Sequence, residues 1–144
     1  IGCHCSDIPP GTYKKGHRHV NGVVIHAVTG VGYSLLWYEG DKEFVRTDWK
    51  HGVIYSPPDN MFHQHFNISA GAARYLAVQM GSVRYPMMQQ KRDVWTPGGM
   101  FAKTVDEGGM QIEYDPQDPR IHALWLEEMK KAGIEPKMKA FIGK

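Results

Sequence analysis

The sequence predicts an all-β protein, a barrel or sandwich of short strands followed by one amphipathic C-terminal helix. Three observations carry that prediction. Short apolar segments recur at roughly ten-residue spacing through the first half of the chain, each bounded by Gly, Pro, Asn or Asp. β-branched and aromatic residues dominate those segments. One stretch near the C-terminus repeats its apolar residues at helical period instead.

The elements follow in order. Thr12 to Lys15 lies between Pro9-Pro10-Gly11 and Gly16. Val23 to Val28 is a β-branched run that stops at Thr29-Gly30. Gly32 to Tyr38 ends at Glu39-Gly40-Asp41, a turn signal, and Lys42 to Trp49 reads as the return strand of a hairpin. Val53 to Ser56 is short and stops at Pro57-Pro58, and Met61 to Asn67 and Arg74 to Met80 are two further strands. Residues 82–99 contain Pro86 and Pro97 and few periodic positions, which predicts an irregular strap over the barrel or across a partner. Met110 to Tyr114 alternates apolar and polar residues and adds one strand.

The helix is delimited at both ends. Asp118 suits an N-cap, Pro119 the first helical position, and Gly133 the C-terminal stop. Ile121, Leu124, Trp125 and Met129 fall on one face, and Glu127 and Lys131 stand four apart in the favourable order. The barrel is therefore assigned to residues 1–115, with the strap at about 82–109, and the helix and tail to residues 116–144. The tail is basic, with Met138, Phe141 and Ile142, and reads as a docking arm or a solvated end.

With 144 residues, 42% of them hydrophobic and 22% charged, the composition is that of one globular domain able to bury a core. The net charge of +2 comes from scattered lysines and arginines, which argues against a nucleic-acid partner. There is no apolar run of membrane-spanning length and no signal peptide, so a cytoplasmic protein with no membrane partner is expected. The chain starts at Ile1 without a methionine, which is read as lack of a natural N-terminus through processing, truncation or disorder, with a longer chain as one expectation. Cys3 and Cys5 flank His4; on a strand the two cysteines share a face, and they are expected to be buried with His4 outward. The Asn67-Ile68-Ser69 triplet is read as a chance match to a glycosylation signal.

Four of the eight histidines form two His-x-His pairs, His17 with His19 and His63 with His65. On a strand, each pair projects to one face, so two strands can aim several imidazoles into one interior. Imidazole suits iron, zinc, copper and nickel, and a site with open positions is catalytic in character. Tyr33, Trp37, Phe62 and Tyr75 are candidates for an aromatic pocket wall, and Arg74 and Arg46 for carboxylate recognition.

At these residues the sequence resembles the cupins. Their first motif is Gly, five residues, His-x-His, three or four residues, Glu, six residues, Gly. Gly11, His17-Arg18-His19, Val23 and Gly30 stand at those spacings, with Val23 in place of the Glu. The second is Gly, five residues, Pro-x-Gly, two residues, His, three residues, Asn. Gly52, Pro58-Asp59-Asn60, His63 and Asn67 match it, with Asn60 for the second Gly, a replacement that tolerates positive φ.

The resemblance implies a double-stranded β-helix, or jelly-roll, barrel and a divalent metal held by His17, His19 and His63. It implies a non-haem Fe(II) dioxygenase acting on a small organic substrate, with His65 as a proton-relaying group. Three neutral imidazoles would leave the ion its full charge and favour an anionic substrate. Two alternatives stay open: a Zn, Mn or Ni cupin lyase or isomerase, and a non-catalytic module that binds or senses a small molecule. The missing fourth ligand has two candidates, His65 and His26; strict alternation from Val23 turns His26 outward unless a bulge intervenes. A homo-oligomer, dimer or larger, is expected, with the strap and the helix as contact surfaces.

Overall fold

A computed structural model describes residues 1–19, 22–79 and 103–143. The described residues form nine strands and one α-helix. The strands are β1 (Gly2–Ile8), β2 (Gly16–His17), β3 (Val23–Thr29), β4 (Val31–Trp37), β5 (Val45–Lys50), β6 (Ile54–Tyr55), β7 (Phe62–Asn67), β8 (Ala73–Gln79) and β9 (Gln111–Ile112); the helix is α1 (Pro119–Ala132). One sheet runs β1-β8-β3-β6 and the other β5-β4-β7-β2-β9, with every strand pair antiparallel.

The two sheets differ in what covers them. On β3, Val23, Ile25 and Ala27 are buried, while Val24 and Thr29 are exposed, the pattern of a sheet with one wet face. His26 follows the outward set and stays off the cavity side. β7 is buried at all six positions. Its second face is covered by α1, which packs Ile121, Trp125 and Met129 on Tyr13, Tyr33, Leu35, Trp37, Phe62 and Phe66. Met138 of the tail joins the same cluster, and the Lys137 N–H donates to Gly11 O at 2.8 Å. The tail is thus tied to the barrel.

The helix caps are those the sequence predicts: the Asp118 carboxylate accepts from the Arg120 N–H, and Gly133 takes φ +66°. Two details differ. Leu124 lies at the edge of the apolar stripe and is exposed, and Lys131 pairs with Glu128 at 2.7 Å, the nearer of the two carboxylates along the helix.

Among the strands, the segment at residues 12–15 contributes only a bridge from Tyr13 to Phe66, and regular pairing starts at Gly16. The return strand of the predicted hairpin starts at Val45. β1 reverses the expected facing: Cys3 and Cys5 are exposed, and His4 is on the cavity side. β1 is an edge strand whose outer face nothing among the described residues covers, so the small apolar side chains gain no burial there. The strap proposed for residues 82–99 lies outside the described residues.

The turn positions of both histidine motifs share one backbone property. Gly11, Gly30, Gly52 and Asn60 all have positive φ, at +72°, +85°, +86° and +60°. Asn60 is the sole non-glycine residue in that region among the described residues, as its substitution for glycine predicts. Asn67 is buried and fully engaged: its amide donates to Ile8 O and Gly71 O at 2.9 Å, and its carbonyl oxygen accepts from the Ser69 N–H and hydroxyl. It pins the loop between β7 and β8 and offers nothing for glycosylation.

Candidate metal centre

Strand register brings the histidines together. His17 on β2 pairs directly with His63 on β7, so both side chains emerge on one face, and His65 lies two residues on. That face looks into a cavity of about 910 Å³ between the sheets. His17, His63 and His65 each offer a ring nitrogen, and these nitrogens lie within 4.8 Å of one another. The His19 ring centroid is 4.7 Å from that of His63 and 6.0 Å from that of His17. All four predicted histidines therefore line one cavity, and the set whose nitrogens meet within 4.8 Å contains His65 in place of His19.

Hydrogen bonding fixes which nitrogen each ring presents. His17 Nδ1 lies 3.0 Å from Lys15 O, and His63 Nδ1 lies 3.0 Å from Met61 O. A carbonyl only accepts, so both rings carry the proton on Nδ1 and turn a bare Nε2 lone pair away from the backbone. His63 Nε2 is buried and has no hydrogen-bond partner among the described residues.

His65 is set by a different device. Its Nδ1, Ser34 Oγ and Tyr55 Oη form a triangle with sides of 2.7, 2.7 and 3.0 Å, and Trp49 Nε1–H donates to Ser34 Oγ at 3.1 Å. If Nδ1 were bare, two hydroxyl protons would have to serve three contacts. With the proton on Nδ1, its N–H is shared between the two oxygens and one hydroxyl bridges them. His65, too, then presents Nε2.

Burial holds these rings neutral. Desolvation first, and the neighbouring imidazoles next, push His17 and His65 well below the ordinary histidine range. The same causes bring His63 down to about 3. Buried, neutral imidazoles with their lone pairs converging, one of them orphaned, fit a divalent ion. The glutamate position of the motif holds Val23, 1% exposed in the cavity wall, so the donor set carries no carboxylate.

The predicted pocket wall is largely corrected. Tyr33, Trp37 and Phe62 sit on the opposite face of their strands, in the cluster under α1. The alternation is unbroken: Ser34 and His65 take the cavity side while Tyr33 and Phe66 take the helix side. Arg74 is exposed and doubly bonded to Asp7, and Arg46 lies on the outer face over Tyr33 with Asp48 and Glu128. Both arginines are on the solvent side of their strands, where a carboxylate neighbour already neutralises them. Tyr75 alone of the predicted set lines the cavity, with its ring 4.9 Å from that of His65.

Three groups escaped the sequence reading. Val23, Ile25 and Ala77 form an apolar wall, Tyr114 and Phe141 line another part of the cavity, and Lys14 projects into it. The signal for Lys14 was available: Tyr13 is a core residue and its neighbour in an extended segment faces the other way.

No protein-family model matches the sequence, and no curated protein matches it. Solved structures do. CENP-C of Drosophila melanogaster bound to CAL1 superposes with a TM-score of 0.50 at 9% identity, over 54% of this chain and 60% of that one. The CENP-C cupin domain of the same organism gives 0.49 at 9%, over 54% and 59%. The fold is a cupin barrel. The capsular polysaccharide assembling protein CapF of Staphylococcus aureus also matches, with a TM-score of 0.50 at 16% identity, over 58% of this chain and 25% of that one. This chain thus spans less than two thirds of the length of the cupin structures it matches, and at such identities the likeness is one of fold. No helix among the described residues is long and apolar enough to cross a membrane.

Proposed function

We propose that this cupin is a metal-dependent oxygenase that holds Fe(II) on neutral histidines and acts on a small organic anion. The observation that carries the reading is the unpartnered Nε2 of His63, buried beside the donor nitrogens of His17 and His65. His17, His63 and His65 are assigned as the ligand set, with His19 as the fourth imidazole within reach. In this assignment His65 is a ligand and does not relay protons, because Ser34 and Tyr55 already engage its Nδ1. The resemblance to cupins with three-histidine iron sites favours iron; the same donors accept Zn, Ni or, less readily, Mn, which keeps lyase or isomerase chemistry as the alternative.

Bound there, ferrous iron would supply a Lewis acid and an electron source for dioxygen. The chain's own contribution is geometric and electrostatic. The i−2 carbonyls lock His17 and His63 in one tautomer, and Trp49, Ser34 and Tyr55 lock His65. With no carboxylate in the donor set among the described residues, the site stays cationic, so an anionic substrate gains from entering. The wall of Val23, Ile25 and Ala77 excludes water from the organic part of that substrate.

Elemental analysis of protein purified without added metal tests this. Stoichiometric iron is expected in the wild type and none in His63→Ala. His65→Ala should lose the metal as completely as His63→Ala, while His19→Ala retains part of it; the reverse order would return His19 to the primary set. No metal in the wild type, even after soaking with Fe(II), Mn(II) or Zn(II), would leave a small-molecule-binding module on a cupin barrel.

A further inference from the structure

Two lysines line the cavity, and they differ in one respect. Lys15 is neutralised by Glu113 at 2.6 Å. Lys14 makes no ion pair among the described residues; its Nζ donates to Tyr75 Oη at 2.6 Å and to Ser6 Oγ at 3.3 Å. Asp7, the carboxylate that also lines the cavity, is committed to Arg74 at 2.6 Å. The position of Lys14 is fixed through its backbone: its N–H donates to His65 O at 3.0 Å, and its carbonyl accepts from Gln64 Nε2 at 2.8 Å.

The donor count leaves two protons unassigned. An ammonium has three N–H groups, of which Lys14 uses two. Tyr75 Oη accepts from Lys14, and its own proton has no acceptor among the described residues. The Tyr75 ring adjoins His65, so both free donors belong to the histidine end of the cavity. A half-buried ammonium without a counter-ion is a standing cost that an anionic ligand relieves.

We propose that Lys14 and Tyr75 form a carboxylate-binding subsite that orients a small monocarboxylate beside the histidines. Two adjacent donors match the two oxygens of a carboxylate, whereas a phosphate would call for more. The apolar body of the ligand lies against Val23, Ile25 and Ala77. This deepens the functional reading above and rests on the cavity being the ligand site, but it does not require the metal. Lys14 and Tyr75 are specificity-determining residues in this account.

The test compares acids with their neutral amides on the same protein. Benzoate against benzamide, and acetate against acetamide, are titrated calorimetrically into metal-stripped wild type, Lys14→Met, Lys14→Arg and Tyr75→Phe, with metal content of each as-purified protein measured in parallel. In at least one pair the acid should bind wild type about tenfold more tightly than its amide. Lys14→Met should abolish that preference, Lys14→Arg should keep part of it, and Tyr75→Phe should reduce it. Tyr75→Phe reads the same contrast should Lys14→Met not fold. Equal affinity for acid and amide, no binding of either pair at millimolar concentration, or a preference that survives both Lys14→Met and Tyr75→Phe overturns the proposal. A Lys14-dependent preference in a protein that carries no metal would uphold the subsite while removing the metal reading, so the two fail separately.

Discussion

The two faces of β7 lie one residue apart in sequence and follow different physical rules. Phe62, Gln64 and Phe66 point to α1, where aromatic packing fills the space: Tyr33 stacks on Phe66 at 4.6 Å, and Trp125 meets Tyr13 edge-on at 5.0 Å. His63, His65 and Asn67 point the other way, and the two histidines line an open cavity. Among the described residues both faces contain buried polar atoms without a hydrogen-bond partner, Tyr33 Oη, Trp125 Nε1 and Gln64 Oε1 on the helix side and His63 Nε2 on the cavity side. On the helix side they are ring tips held among other rings, a tolerated cost of large apolar area, and one oxygen of an amide anchored through its Nε2 to Lys14 O and Gln117 Oε1. A bare lone pair beside two others across a cavity is an arrangement that could hold a divalent ion. Burial alone does not separate the two cases; what lies in front of the atom does.

Truncating the packed face should give the largest effect. Trp125 is 0% exposed and at the centre of the aromatic cluster, so Trp125→Ala should cost about 4 kcal/mol in urea or guanidinium unfolding. The loss should be somewhat smaller at pH 5 than at pH 7, because Trp125 packs on His122, whose protonation burial disfavours, and removing the indole relieves that penalty. Metal content per folded chain should not change. A cost under about 1 kcal/mol would mean that α1 is not part of the barrel's cooperative core.

The cavity face should respond to acid. His63 ionises near 6.5 in the unfolded chain and near 3 in the folded one. A depressed folded-state value means that stability is complete above pH 6.5 and is lost as pH falls towards 3, where the unfolded chain takes up protons that the folded chain refuses. From His63 alone the loss between pH 7 and pH 5 is about 2 kcal/mol, and His17 and His65, lowered for the same reason, add to it. Unfolding midpoints of metal-free protein at the two pH values measure the slope, and His63→Ala should flatten it by about that amount. An identical slope in the variant would show that His63 is hydrated and titrates normally.

The contrast between the faces also explains what could be read from sequence. Period-two spacing states that His63 and His65 share a side, and the matching pair at His17 and His19 predicts convergence, because facing depends only on strand geometry. Which side is the cavity is a tertiary fact. Tyr33, Trp37 and Phe62 are aromatic residues on strands beside the histidines and so resemble a pocket wall, but they alternate with the cavity residues and belong under a helix from some sixty or more residues later in the chain. Arg74 misled for the same reason: its charge suits a carboxylate, and the one it meets is Asp7 on the neighbouring edge strand. Lys14 was hidden because no motif includes it, although its neighbour Tyr13 fixes its direction. Caps and turns were legible throughout, since Asp118, Gly133 and Asn60 act through their own backbone.

Asn60 offers the smallest effect and the sharpest check that the loop before His63 is a motif in the physical sense. Its φ of +60° is open to glycine without penalty, to asparagine at modest cost, and to alanine at about 1 kcal/mol. The residue sits three positions before His63, and its N–H donates to His19 O at 2.9 Å, so it joins the second motif to the first. Asn60→Gly should therefore leave stability within about 0.5 kcal/mol of wild type, while Asn60→Ala should lower it by about 1 kcal/mol and loosen the placement of His19. Thermal melting measures the first quantity and metal titration the second. If Asn60→Ala weakens metal binding while Asn60→Gly does not, the left-handed turn is what holds His19 within reach of the cavity face. If alanine costs nothing, the loop has another conformation available, and the approach of His19 to His63 owes nothing to this turn.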